Sequence, residues 1–186
     1  EISECLVGSE MCIRDRFGSV RACDLVQDEK LDLAIVNMEQ FNIDKFESCI
    51  LAKEQLMYVV SKKHPMAKKK CMTIEDFRDE NLLMFNVDSV QNELLKNRFD
   101  QLKLNPRIIM RSSQLYTTLK FIDNGSCGCF LFSDMLPHFK QYKGIPLEPP
   151  IDVNIGIVWK KGNFLSHSAQ LFIDFAMQYC SENITT

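Results

Sequence analysis

The sequence predicts an α/β fold in which a mainly parallel β-sheet is covered by helices on both faces. Strand-like and helix-like segments alternate along most of the chain. Residues 31–37 (LDLAIVN) are almost continuously apolar, as expected of a parallel strand that is buried on both faces. An alternating strand near the end, at residues 153–160, indicates one return strand in this sheet.

The first half of the chain alternates between helix and strand. Ser19 is a candidate N-cap for a short helix, and the buried strand follows that helix directly. Residues 46–51 and 56–61 predict two further strands, because β-branched and aromatic residues favour strands. Thr73 and Asp76 then form a start for a short helix that resembles a capping box.

The second half repeats the alternation. Residues 82–85 and 107–111 predict strands, and each is followed by a polar turn and a helix with an apolar stripe. Ser112 and Ser113 can cap the second of these helices. The remaining predictions are a strand at 127–132, a helical turn at 133–139, an irregular connection at 144–150 and a final helix with an apolar repeat at Leu171, Phe172, Phe175, Ala176 and Tyr179.

Composition excludes several classes of protein. The 186 residues are 46% hydrophobic and 25% charged, which suffices for the core of one domain or of two small lobes that share a hinge. A net charge of −3 argues against nucleic-acid binding by this chain alone, because phosphate neutralisation needs a concentrated Lys and Arg surface. No apolar run reaches the roughly 18–20 residues that span a bilayer, and the N-terminus lacks a secretory pattern. We therefore expect a cytoplasmic location and no membrane partner.

Metal, cofactor and catalytic motifs are also missing from the sequence. The eight cysteines are scattered along the chain, which predicts reduced, buried thiols. Cys127 and Cys129 come nearest to a metal motif, but His138 and His167 add no ligands at zinc spacing. No nucleophile elbow, H-E-x-x-H or phosphate-binding glycine loop is found, so we expect neither a cofactor nor enzyme activity. The basic residues within 62–70 predict a solvated loop, with an anion or DNA patch as the alternative.

Residues 6–16 (LVGSEMCIRDR) are set apart from the prediction of the fold. They resemble a translated sequencing-adapter oligonucleotide and thus a non-native artefact. The alternative is a native amphipathic start, since several of these residues are apolar. Rereading the genomic locus would distinguish the two interpretations.

Three stretches resemble segments of the effector-binding domain of LysR-type transcriptional regulators. They are residues 29–35 (EKLDLAI), 59–68 (VVSKKHPMAK) and 122–131 (IDNGSCGCFL). Each stretch is weakly specific alone, and their order and spacing make the likeness over about residues 17–180 more specific.

The resemblance implies two Rossmann-like lobes joined by two crossover strands, which is the type 2 periplasmic-binding-protein-like fold. The first lobe would comprise residues 1–84 plus 162–186, and the second lobe residues 85–161. The family's opening strand and helix have no counterpart here, because residues 6–16 occupy their place. The expected fold is therefore N-terminally truncated.

The resemblance also implies a ligand site in a cleft between the lobes. The C-terminal ends of strands and the N-termini of helices meet there and present unpaired backbone N–H groups. Helix capping is the competing role for residues 86–89 and 112–114, and a plain loop is the competing role for Asn37 and Met38. The expected ligand contacts are Asn37, Met38, Asn86, Val87, Asp88, Ser89, Ser112, Ser113, Gln114, Phe132 and Ser133.

The function that the resemblance implies is the sensing of a small, anionic metabolite effector. Oligomers, either dimers or tetramers, are expected from the family likeness. DNA would be bound only through an N-terminal helix-turn-helix, which is absent from this chain. One alternative is a free-standing bilobal solute-binding receptor for a transporter, which needs an export signal. Another is an enzyme on the same fold, which would show turnover.

Overall fold

The computed structural model describes residues 18–39, 43–86, 89–112 and 114–183. Helices and strands alternate through most of this part of the chain. In chain order they are α1 (Ser19–Gln27), β1 (Leu33–Asn37), β2 (Phe46–Ser61), β3 (Asn81–Met84), α2 (Val90–Gln101), β4 (Arg107–Arg111), α3 (Leu115–Ile122), β5 (Gly128–Phe132), β6 (Tyr142–Pro146), β7 (Asp152–Lys160) and α4 (His167–Asn183). Short 3-10 turns lie at Ile43–Lys45, Pro65–Lys68, Ile74–Phe77 and Ser133–His138.

The chain forms two compact units. The second unit is Lys53–Val153, and the first unit consists of the segments that end at Ala52 and begin at Asn154. Both divisions fall inside strands, so β2 and β7 each run from one unit into the other. The sequence suggested divisions near residues 84 and 161, and the structure divides the chain earlier at both places. A strand that crosses a boundary keeps its apolar pattern on both sides, so composition does not mark the division.

The second unit is a sheet with one helix on each face. Its strand order is β6-β2-β5-β3-β4, where β3 is parallel to both β4 and β5, and β2 is antiparallel to both β5 and β6. Helix α2 buries Leu95 and Phe99 in one core cluster, and α3 buries Leu119 and Ile122 in another. The predicted α/β fold with helices on both faces of the sheet is thereby confirmed, but the sheet is mixed and not mainly parallel as predicted, because β2 pairs antiparallel with both of its neighbours here.

Aromatic rings hold the α2 side of this sheet together. The rings of Tyr58 and Phe77 meet edge to face at 4.9 Å, and that of Phe130 lies 5.4 Å from Tyr58 and 5.3 Å from Phe77. All three side chains are buried. Such ring pairs stabilise the fold beyond simple area burial, so this cluster fixes how β2 and β5 meet.

The first unit has its own, smaller core. Strand β1 pairs antiparallel with β7, with Leu33 opposite Trp159 and Asn37 opposite Ile155. The prediction of a parallel strand that is buried on both faces is therefore wrong here, because the described partner of β1 runs antiparallel and Ile35 is exposed. Ala22 and Val26 of α1 pack there against buried residues of β1 and β7.

Several local predictions were wrong in detail. Gly18, and not Ser19, is the N-cap of α1, because the Ser19 hydroxyl instead accepts a hydrogen bond from Asn37 N at 3.1 Å. The two strands expected at 46–51 and 56–61 are one continuous strand, β2. The connection expected to be irregular contains β6, whose pairing with β2 reaches Pro146 opposite Met57.

Candidate functional site

Three parallel strands of the second unit end at the same edge of its sheet. We call this the carboxyl edge, defined as the C-terminal ends of β3, β4 and β5 with the turns that follow them. Met84 of β3 lies opposite Arg111 of β4, and Met84 O accepts a hydrogen bond from Ser112 N at 3.1 Å. Unpaired backbone groups and helix starts concentrate at such an edge, which makes it a common place for ligands.

The turn after β3 begins helix α2. Asn86 is exposed, and its carbonyl oxygen accepts from Ser89 N at 3.0 Å. Ser89 is the N-cap of α2, and its hydroxyl accepts from Asn92 N at 3.3 Å. Ser89 therefore fills the capping role, which was the expected alternative to ligand binding. Asn86 remains the more accessible of the two for a ligand.

The turn after β4 begins helix α3. The Ser112 hydroxyl accepts from Gln114 N at 3.1 Å, so Ser112 stabilises the turn without being the cap itself. Gln114 holds the N-cap position and makes no side-chain cap. Its Oε1 accepts from the Thr117 hydroxyl at 2.9 Å. Ser112 is half-buried and Gln114 exposed.

Arg111 and Asn92 connect these two turns. Arg111 Nη1 donates to Asn92 Oδ1 at 2.6 Å and to Phe85 O at 3.2 Å. Asn92 is buried in the first turn of α2. Sequence reasoning missed both residues. The available signals were a charged residue as the last residue of a parallel strand, and a polar residue three positions after a serine cap.

The turn after β5 is bonded to the carboxylate of Glu54. The Ser133 hydroxyl donates to Glu54 Oε2, and Asp134 N donates to the same oxygen at 2.9 Å. Ser133 Oγ also accepts from Gln55 N at 3.1 Å, so its single donor is used and one acceptor lone pair is left. Burial raises the pKa of the Asp134 carboxyl, and the charge of Glu54 raises it further. Phe132 is half-buried against the core cluster on the α2 side.

Two expected contacts lie in the first unit. Asn37 is buried at the end of β1, its Oδ1 accepts from Glu39 N at 3.2 Å, and its Nδ2 has no partner. An unpaired, buried N–H donor is costly. Met38 is buried in the core cluster of this unit and bonds through its backbone to Asn154 O. The other expected contacts, Val87, Asp88 and Ser113, lie outside the described residues.

The described part of the chain has neither a helix that could cross a membrane nor a metal-binding cluster. None of its helices combines the length and the apolar character needed to cross a membrane. Across residues 18–39, 43–86, 89–112 and 114–183, no group of three or more His, Cys, Asp or Glu side chains is arranged to hold a metal ion. The cysteines there are free thiols, and burial raises the pKa of Cys127 and Cys129. A thiol with a raised pKa stays protonated near neutral pH, and only the thiolate is a good nucleophile and metal ligand.

Comparison with known proteins identifies the class. The model of the LysR substrate binding domain family matches residues 17–181. The chain therefore belongs to this family, as its three sequence stretches suggested. The family match agrees with the arrangement of parallel strands that end at a common edge.

Two curated relatives come from Bacillus subtilis (strain 168). The chain is 27% identical over 166 residues to the uncharacterized HTH-type transcriptional regulator YwbI, covering 87% of this chain and 54% of the relative. It is 26% identical over 165 residues to the transcriptional dual regulator GltC, covering 86% of this chain and 54% of the relative. The chain thus spans about half the length of the curated relatives that it matches.

Solved structures share the fold. The effector binding domain of QuiR in complex with shikimate matches with a TM-score of 0.74 and 23% identity, covering 90% of this chain and 80% of that chain. The Synechocystis PCC6803 CcmR regulatory domain in complex with 2-PG matches with a TM-score of 0.80 and 18% identity, covering 98% and 92%. These likenesses agree with the predicted type 2 periplasmic-binding-protein-like fold.

Proposed function

We propose that this chain is the effector-sensing part of a LysR-type, DNA-binding transcriptional regulator, and that it binds a small, anionic metabolite at the carboxyl edge. Family membership over residues 17–181 is the observation that carries the proposal. The names of the relatives support a regulator, since two of them are HTH-type transcriptional regulators. Two structural neighbours are complexes with small molecules, shikimate and 2-PG.

The proposed contacts are the residues predicted from the sequence. Among them, we favour the side chains whose polar groups are not already used in hydrogen bonds within the protein. Asn86, Ser112 and Gln114 stand at the turns after β3 and β4 and keep polar groups for a ligand. Ser113, Val87 and Asp88 belong to the same turns by sequence. Ser133 is already bonded to Glu54, so it contributes less than its position suggests.

The rest of the proposal concerns the whole protein. DNA is bound by a helix-turn-helix outside this chain, the regulator acts in the cytoplasm as a homo-oligomer, and the domain performs no catalysis. Effector binding changes the affinity for DNA only if the effector prefers one of two arrangements of the regulator.

Thermal-shift screening of the chain against a metabolite panel tests the proposed function. The panel contains carboxylates, phosphate esters, neutral compounds and amines, with shikimate among them. A ligand at 100 times its Kd adds about 2.7 kcal/mol, which raises the Tm by about 5–10 °C in a domain of this size. Ser112→Ala and Ser113→Ala should reduce the shift, and Ser126→Ala, an exposed serine just before β5, should not.

Two results would contradict the proposal. The first is a panel in which no compound raises the Tm. The second is a bound compound whose Tm shift survives both Ser112→Ala and Ser113→Ala unchanged. Recovery of the bound compound by mass spectrometry after long incubation separates sensing from turnover, because a sensor returns its ligand chemically unaltered.

A further inference from the structure

The guanidinium of Arg111 is held in place at the carboxyl edge with part of its donor set unused. A guanidinium carries five N–H donors in a planar fork. The two bonds to Asn92 Oδ1 and Phe85 O both come from Nη1. Among the described residues, Nε and Nη2 have no acceptor. Nε–H and Nη2–H form the parallel pair of donors that a carboxylate or phosphate accepts in a bidentate manner.

The charge of Arg111 is not balanced by its neighbours in the described part of the chain. Both of its acceptors are neutral, a carbonyl and an amide oxygen, and no described carboxylate forms an ion pair with it. It also lies against the first turn of α2, which is the positive end of that helix's dipole. Glu93, the acidic residue of that turn, is exposed. An anion bound here would offset both the charge of Arg111 and the positive end of the α2 dipole.

The opposite holds at the end of β5. Glu54 and Asp134 carry carboxylates there, and the pKa of Asp134 is raised by burial and by Glu54. A further anion at that end would meet like charge. The electrostatics of the carboxyl edge therefore divide it into a cationic part at β4 and an anionic part at β5.

We propose that Arg111 binds the anionic group of the effector through Nε and Nη2, and that Asn92 is a positioning residue that aims the guanidinium. This proposal rests on the proposed function and assigns the charge recognition to one side chain. It predicts that the recognised group is a carboxylate or a phosphate, which matches the planar fork of an arginine better than a neutral group does.

The test is a titration of the ¹⁵N-labelled chain with inorganic phosphate, followed through the arginine Nε–Hε signals by NMR. The Arg111 signal is assigned by its loss in Arg111→Lys. It should shift saturably with phosphate, and the signal of Arg107, at the exposed start of the same strand, should shift much less. No shift at Arg111, or an equal shift at Arg107, would overturn the proposal.

The affinity of Arg111 variants for phosphate is a second test of the proposal. Arg111→Gln should weaken phosphate binding about tenfold, because a charge-assisted bidentate contact is lost. Arg111→Lys, which keeps the charge without the fork, should fall between wild type and Arg111→Gln, and the matched control Arg107→Gln should bind as wild type does. Circular dichroism checks that each variant is folded. If Arg111→Gln does not fold, the titration of the wild-type chain still decides.

The failure of this proposal can be separated from that of the proposed function. A neutral metabolite that binds wild type and Arg111→Gln equally would leave the sensor function standing and remove the role of Arg111. A phosphate-dependent Arg111 shift with no metabolite bound from the panel would retain the anion site and remove the sensor function.

Discussion

His64 is a buried side chain whose two ring nitrogens are both engaged. Its Nδ1 accepts a hydrogen bond from Met66 N at 3.2 Å, and its Nε2 lies 3.3 Å from Glu80 Oε2. The hydroxyl of Tyr58 donates to the same carboxylate oxygen at 3.2 Å. A neutral ring with its proton on Nε2 satisfies both contacts. Burial lowers the pKa of His64, and the charge of Glu80 opposes that shift only in part.

This lowered pKa predicts a loss of stability in acid. The unfolded chain binds a proton on His64 as pH falls through about 6.5, whereas the folded chain resists it until a lower pH. The contribution of His64 is therefore fully present above pH 6.5 and declines as the pH falls below it. Urea unfolding between pH 7.5 and 5 should show a smaller pH dependence in His64→Gln than in wild type. Parallel profiles for wild type and His64→Gln would contradict this, and the exposed His167→Gln serves as control.

The lack of a side chain at Gly128 is a second single-residue feature on which the stability of the fold depends. A Cβ at this position would lie 2.4 Å from Tyr58 Cζ, within a ring that is itself fully buried. Gly128→Ala should lower the free energy of unfolding by about 1–3 kcal/mol, because the aromatic cluster cannot move aside. At Gly144 the added Cβ meets only the flexible end of Leu136, so Gly144→Ala should cost about 1 kcal/mol or less. Equal costs for the two substitutions in urea unfolding would refute this explanation.

Helix α4 illustrates what a helical stripe does and does not predict. The repeat of apolar residues correctly predicted the helix. It did not predict burial, because Leu171, Phe175 and Tyr179 are each more than half exposed, whereas Ile173 is buried. Periodicity records which residues share a face, and only the packing around the helix decides whether that face is covered.

The difference between the faces of α4 can be measured. Ile173→Ala should lower the free energy of unfolding by about 2–4 kcal/mol, since it removes buried methyl groups. Phe175→Ala on the exposed face should change it by about 0.5 kcal/mol or less. A larger loss for Phe175→Ala than for Ile173→Ala would mean that the exposed face is covered when the chain is in solution.

The elements that sequence reasoning missed share a cause. Residues 53–55 interrupt the apolar pattern of β2 with polar side chains, so the local pattern predicts two strands where the structure has one. Strand β6 contains a glycine and ends at Pro146, and both residues normally argue against a strand. In each case backbone pairing to a neighbouring strand outweighs local preference, and pairing is not visible in the local sequence.

At the scale of the whole molecule, the fold class could be predicted and the divisions between the units could not. The apolar run at residues 31–37 and the alternation after it suffice to predict an α/β fold. The divisions lie within β2 and β7, where no linker marks them. At the candidate site, the capping residues in the sequence predict the turns. They do not predict the contact between Arg111 and Asn92, because that contact depends on the pairing of β3 with β4, which brings residues from distant parts of the chain together.

The overall charge makes a further prediction for the whole chain. With a net charge of −3, the chain should bind a labelled DNA duplex with a Kd weaker than about 100 μM at 150 mM salt, as expected without a concentrated basic surface. Fluorescence anisotropy measures this. Tight, salt-sensitive binding that is lost on replacing Lys62, Lys63 and Lys68 with alanine would instead favour a DNA patch at the basic loop.

We propose above that the carboxyl edge of the second unit receives a small anionic molecule. The most direct measurement is the change in backbone amide NMR shifts when a metabolite identified in the thermal screen is added to the labelled chain. We expect the largest changes at Asn86, Arg111, Ser112 and Gln114. Changes concentrated on the exposed face of α4 or on the basic residues within 62–70, with these four residues unaffected, would contradict it.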